Sequence, residues 1–300
     1  MPGYKQLAKK LKITDNTAAR PCQRVPVNQP FLDTHAKRQW TLDAHNGKFE
    51  YFVVGDSITA GWSRSGKEKL NKLFGIGKVM NLGHPADKTQ NILWRLLNQN
   101  FNQSNPKVAK VKAGTNNSNN DEWTEEQIAE GVQAIVQMIR AKLTETKVLL
   151  LGILPRGSRD QHRNLITGLT EAVMNPQWDK ININNGIIES FADGTNVVYL
   201  NINQAFLNEN GALPCDIMPD MLHPNEKGYE IWANAIRPTL EKLPPRTQNK
   251  SDSKLWKKVA FAFHQKQGED IYTMTESMIT NYIQIRAPFS VNPIREVFKA

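Results

Sequence analysis

Residues 50–62 read EYFVVGDSITAGW, and the rest of the chain is organised around this stretch. Tyr51 to Val54 is a short run of aromatic and β-branched residues, the pattern of a strand buried on both faces. Gly55 ends it, and Asp56, Ser57 and Thr59 favour entry into a helix. Ser57 is therefore expected where the carboxyl end of a strand turns into a helix. In open parallel sheets ligands bind outside that edge, and free N–H groups at a helix start can receive a developing oxyanion. A serine so placed is a candidate nucleophile, bordered by Asp56 and Ile58. The tripeptide GDS alone reads more simply as a helix cap, so the weight of the assignment rests on the remaining sequence.

Working outward, GKVMNL at 77–82 predicts a second strand, followed by GHPADKTQNILWRLL, in which Asp87 can cap a helix with Ile92, Leu93, Leu96 and Leu97 on its apolar face. Val108 to Ala113 reads as a third strand ending in GTNN at 114–117. Lys110 and Lys112 conflict with it, because they share one face of a strand expected to be covered on both sides. Thr124 to Gln127, TEEQ, is a capping box opening a helix with Ile128, Val132, Ile135, Ile139 and Leu143 inward. Lys147 to Leu154, KVLLLGIL, predicts a fully buried strand stopped by Pro155 and Gly157. Helices are expected around Leu165 to Met174 and Lys180 to Phe191, a fifth strand at Asn196 to Ile202, and a last helix starting near Pro224. Five short strands alternating with helices indicate an α/β fold: a flavodoxin-like, three-layer α/β/α sandwich around a five-stranded parallel sheet.

The same reading divides the chain into an N-terminal arm (1–45) packed through Phe31 and Trp40, a domain at 46–245, and an extension at 246–300. Both ends are expected to be accessory. Hydrophobic residues at 39% and charged residues at 22% describe a soluble globular chain. No apolar run approaches the roughly 18 residues of a membrane span, and the N-terminus lacks the pattern of a secretory signal, so a cytoplasmic setting is expected. Cys22 and Cys215 are too few for a disulfide framework, and no His pair has metal-site spacing, so neither metal nor cofactor is expected. The net charge of +9 invites nucleic acid, but residues 246–300 alone hold nine Lys and Arg against five Asp and Glu. The remaining charge is dispersed, which argues against a nucleic-acid partner.

Acyl transfer needs a nucleophile, a base, a carboxylate to orient the base, and oxyanion donors. Ser57 follows the first strand, Gly83 to Ala86 the second and Asn116 the third, while Asp220 and His223 precede the last helix. In a doubly wound sheet these loops converge on one crevice. Asp220 and His223, three apart in a turn, are close enough for the carboxylate to fix the imidazole tautomer.

In this order, GDSITAGW, NLG, GTNN and DMLHPNEKGY resemble the four blocks of the SGNH (GDSL-type) hydrolases. NILWRL, LLLGILPRG and DIMPDMLHPNEKGYEIW narrow the likeness to the branch that holds the platelet-activating-factor acetylhydrolase catalytic subunits and related bacterial esterases. The resemblance spans roughly residues 46 to 243. It implies Ser57 as nucleophile, His223 as base and Asp220 as its orienter, with an oxyanion hole from Ser57, Ala86 and the Asn116 side chain. Three departures stand out. NLGHPAD replaces NxGxGGD and puts Ala86 where a glycine donor is expected, Lys110 and Lys112 replace apolar residues, and the segment Ser158 to Trp178 is long.

The resulting expectation is a serine esterase acting on a small-molecule ester of a sugar, lipid or metabolite, with acetyl as the acyl group. Ile58, Met221 and Leu222 are expected to wall the acyl site, with Gly83 and His84 bordering the crevice, and the tail to cover the domain or a second subunit of a homodimer. The rival readings are a catalytically impaired binding protein on the same scaffold and a hydrolase of longer esters or thioesters. GWSRSGKE at 61–68 nearly spells a phosphate-binding loop, but Glu68 stands where that loop needs a hydroxyl.

Overall fold

Each apolar run becomes a strand whose alternate side chains feed two separate cores. A computed structural model of the chain describes residues 16–24, 29–119, 121–157, 171–172 and 176–243. Its strands are β1 (Tyr51–Gly55), β2 (Val79–Asn81), β3 (Val108–Lys112), β4 (Lys147–Leu151), β5 (Glu171–Ala172), β6 (Val197–Leu200) and β7 (Leu213–Pro214). Five of them form one parallel sheet in the order β2-β1-β3-β4-β6, and β5 pairs antiparallel with β7. This is the doubly wound, flavodoxin-like arrangement. The helices are α1 (Gln29–Ala44), α2 (Ser57–Ala60), α3 (Lys67–Phe74), α4 (Thr89–Asn98), α5 (Glu125–Lys142), α6 (Pro176–Glu189) and α7 (Glu226–Lys242).

The period of two along each strand sorts the core. Phe52, Val54, Ala109, Val111, Val148 and Leu150 face the layer holding α4, α5 and α6. Val53, Val108, Leu149 and Leu151 face the layer holding α3 and α7, with Trp62, Tyr229 and Trp232. Each of those three rings is essentially fully buried, contributing about 1.5–3 kcal/mol or more by area removed from water.

Several local expectations shift. Asp87 does not cap α4; Lys88 occupies the N-cap, with its N–H bonded to Asn91 Oδ1 at 3.0 Å, because Asp87 is drawn into buried ion pairs with Arg24 and Arg95. The last helix begins at Glu226, close to Pro224, and Asn225 caps it by accepting the Gly228 N–H at 3.1 Å. The capping box at Thr124 and Gln127 forms as expected. Of the helix expected around Leu165 to Met174, the described residues 171–172 are a strand, and 165–170 lie outside the described residues. Most of the long segment Ser158 to Trp178 and the tail at 246–300 lie outside them as well. The stretch 61–68 that nearly spells a phosphate-binding loop is divided between a 3-10 turn at Gly61–Ser63 and the start of α3 at Lys67.

The N-terminal segment is wired into the domain. The Asn16 amide donates to the Gln127 carbonyl at 2.6 Å and to Glu130 at 3.1 Å, Trp123 donates to Thr17 Oγ1 at 2.8 Å, and Thr89 Oγ1 donates to the Ala18 carbonyl at 2.7 Å. Phe31 is fully buried, whereas Trp40 is 69% exposed and does not pack.

Candidate active site

Ser57 is the first residue of α2, where the chain leaves β1. By position its N–H has no intrahelical acceptor. Asp56 caps this turn, accepting the Ile58 N–H on Oδ1 at 3.0 Å. The turn is packed from two sides. The Tyr229 hydroxyl of α7 donates to the Ile58 carbonyl at 2.6 Å, and a Cβ on Gly61 would lie 2.0 Å from that hydroxyl oxygen. A Cβ on Gly83 would lie 2.4 Å from the Ala60 nitrogen, so the loop after β2 crosses α2 at a distance only glycine permits.

The two lysines that strand periodicity could not explain sit beneath this turn. Both point into the α3/α7 layer and are fully buried. Lys112 Nζ pairs with Asp56 Oδ2 at 3.1 Å and donates to Thr115 Oγ1. Lys110 Nζ lies 4.6 Å from the centroid of the Trp62 ring and 4.1 Å from that of Trp232, with no hydrogen-bond partner. Burial, and then the charge of Lys112, hold the Lys110 ammonium well below the usual lysine range against the pull of Asp56. Its folded-state pKa lies below the unfolded one, so above the folded pKa and up to the ordinary lysine range the unfolded chain binds more protons. Stability must then rise with pH across that window. We expect Lys110→Met to raise stability by about 1–3 kcal/mol and to flatten this rise. Chemical denaturation at several pH values measures both; a destabilised variant would show that the cation–aromatic contacts outweigh the cost of burial.

Asp220 and His223 lie in the turn before α7. Met221 between them adopts φ 52°, and its carbonyl accepts the Gly157 N–H at 2.7 Å. Asp220 Oδ1 accepts the backbone N–H groups of Leu222 (3.1 Å) and His223 (2.6 Å), leaving Oδ2 for His223 Nδ1 at 2.5 Å. The other ring nitrogen, Nε2, lies 2.8 Å from Ser57 Oγ. Burial opposes ionisation of Asp220, but the His223 ring and the two N–H donors prevail and hold its carboxyl below the ordinary aspartate value. The three side chains expected to work together thus form a continuous hydrogen-bonded line from carboxylate to hydroxyl.

The second and third loops meet beside this line. The Leu82 N–H donates to the Val53 carbonyl at 2.8 Å and the His84 N–H to the Gly55 carbonyl at 3.0 Å, tying the loop after β2 to β1. Ala86 is exposed, with φ 60°. That left-handed conformation costs an alanine about 1 kcal/mol relative to glycine. Asn116, after β3, donates one Nδ2 hydrogen to the Asp87 carbonyl at 2.9 Å. Asn117, which the sequence reading did not single out, accepts the Thr89 N–H at 2.9 Å and so locks the same two loops together. The repeated Asn in GTNN was the signal for it. Of the residues expected to border the crevice, Asp56, Ile58, Gly83, His84, Met221 and Leu222 are all buried; Ile58, Met221 and Leu222 pack in the α3/α7 core, Asp56 turns to Lys112, and the His84 ring meets Phe31. Among the described residues no group of three or more His, Cys, Asp or Glu could hold a metal ion.

A family profile described as GDSL-like Lipase/Acylhydrolase matches residues 53–231, from β1 into α7. The chain belongs to this GDSL-like lipase/acylhydrolase family. It is accordingly a hydrolase of the GDSL type. Similar sequences include platelet-activating factor acetylhydrolase IB subunit alpha2 of Homo sapiens, 32% identical over 192 residues and covering 64% of this chain and 76% of that one. Subunit alpha1 of Bos taurus is 27% identical over 243 residues, covering 80% of this chain and 96% of its own. Among solved structures, a GDSL-like lipase from Bacteroides thetaiotaomicron shares the fold with a TM-score of 0.53 at 23% identity, covering 68% of this chain and 97% of its own. No helix among the described residues is long and apolar enough to cross a membrane.

Proposed function

We propose that this GDSL-family hydrolase is a serine esterase that removes a short acyl group, acetyl in the first instance, from a small oxygen ester through Ser57, His223 and Asp220. The observation that carries the reading is the line Asp220 Oδ2 to His223 Nδ1, and His223 Nε2 to Ser57 Oγ. With Nδ1–H held by the carboxylate, Nε2 presents a lone pair to the serine hydroxyl. Ser57 Oγ attacks the carbonyl carbon as its proton passes to Nε2. The carbonyl π electrons move to oxygen, where the N–H groups of Ser57 and Ala86 and the second N–H of Asn116 Nδ2 receive the negative charge. Collapse breaks the bond to the alkoxy oxygen, which leaves with the proton from Nε2. Water then repeats the sequence on the acyl-enzyme, releasing the acid and restoring Ser57.

The acetyl assignment is supported by the matched acetylhydrolase subunits and by the bulky apolar residues next to the triad in sequence. Ile58, beside the nucleophile, and Met221 and Leu222, between the acid and the base, are 1%, 6% and 6% exposed and belong to the packed α3/α7 core, which on this reading makes them fixed, bulky walls of the acyl site. An open channel would gain about 0.8 kcal/mol per methylene buried; on this reading bulky walls exclude a longer chain instead. Rates on matched nitrophenyl esters of the whole protein should fall steeply from acetate to butyrate and be negligible at octanoate. Equal cleavage of octanoate would replace the short-chain reading with a lipase-like or thioesterase-like one. A binding-protein reading draws on Lys110, Lys112 and the altered second block; the two lysines are fully buried beneath the Ser57 turn, which leaves it the second block alone.

A further inference from the structure

Arg24, Phe31 and Arg38 lie outside the family match at 53–231, yet their side chains grip the loop that carries Ala86. Arg24 reaches three residues of it, on both sides of Ala86: its guanidinium donates to the Pro85 carbonyl, lies 3.1 Å from His84 Nδ1, and pairs with Asp87 Oδ1 at 2.9 Å. Arg38 of α1 donates to the Asn81 carbonyl at 3.2 Å and to the Gly83 carbonyl. From below, Arg95 of α4 binds Asp87 Oδ2 at 2.7 Å and the Phe31 carbonyl at 3.2 Å. Phe31 is the hub: the Arg95 guanidinium stacks 3.7 Å from its ring centroid, and the His84 ring meets it edge-on at 5.7 Å.

We propose that Arg24, together with Phe31 and Arg38, forms a clamp that positions the Ala86 N–H for the oxyanion, making the N-terminal segment part of the catalytic apparatus. This inference rests on the esterase reading above. Its logic comes from the second block, where Pro85 and Ala86 stand in place of two glycines. A glycine takes φ 60° freely, whereas Ala86 must be held there. The clamp binds the residues on either side of Ala86 (Pro85 by its carbonyl, Asp87 by its carboxylate), and the Asp87 carbonyl also receives Asn116, so both non-serine oxyanion donors depend on one anchored loop. Arg24, Phe31 and Arg38 are positioning residues. None donates to the reacting oxygen.

The test uses the full chain. Arg24→Gln should lower kcat on nitrophenyl acetate by about 10- to 100-fold, the scale of a small misplacement of a catalytic group, with KM within about twofold and the acid limb of the pH profile unmoved. Adding Ala86→Gly should recover much of the lost kcat, because glycine needs no clamp to hold its conformation. Loss of kcat without such recovery, or unchanged kcat, would overturn the proposal. If Arg24→Gln does not fold, Arg38→Gln carries the same comparison. Hydrogen exchange supplies a readout separate from activity: protection of the Gly83, His84 and Asp87 amides should fall in Arg24→Gln by more than that of the sheet amides, and unchanged protection relative to the sheet would overturn the clamp. A wild-type protein that cleaves no ester would refute the esterase reading while leaving the exchange experiment to decide the clamp.

Discussion

Ser57→Ala should reduce ester hydrolysis by roughly a millionfold in kcat, to the level left by binding and the oxyanion donors alone. Ser57 is half-buried and its hydroxyl's bond to His223 Nε2 is part-buried, so its removal costs about 1 kcal/mol of stability. The Tm should therefore be nearly unchanged and KM preserved. Nitrophenyl acetate turnover and a thermal melt on the same preparation check both halves. Activity within about tenfold of the wild type would remove Ser57 from the mechanism.

Asp220→Asn should lower kcat by about ten thousandfold, and the reason is the division of labour between its two oxygens. Oδ1 accepts two backbone N–H groups, so the asparagine carbonyl must occupy that position and its NH2 must face His223 Nδ1. A donor facing Nδ1 forces the imidazole to carry its proton on Nε2, which then cannot accept one from Ser57. Steady-state kinetics should show the loss in kcat with little change in KM, and a loss under about tenfold would mean that the carboxylate is not fixing the tautomer.

The order of strands, the two-sided core and the convergence of four loops were legible in the sequence because each rests on local chemistry: buried apolar runs, turn residues, and the GDS, GTNN and DxxH blocks. What escaped was non-local. Asp87 looks like a cap until Arg24 and Arg95 arrive from 63 and 8 residues away. Lys110 and Lys112 look like errors in a buried strand until Asp56, Trp62 and Trp232 are seen around them. The N-terminal segment has little periodicity, so neither its helix at 29–44 nor its hold on the loop after β2 could be read from the pattern of residues.

These pieces converge on a nucleophile whose reactivity depends on the intact line from Asp220 to Ser57, and covalent capture interrogates that line directly. An alkyl fluorophosphonate incubated with the full-length protein should add one phosphonyl group per chain. Peptide mapping by mass spectrometry should place it on Ser57, and labelling should disappear in Ser57→Ala. No adduct on Ser57 in a preparation that still hydrolyses nitrophenyl acetate, or an adduct mapped to a different residue, would contradict the account.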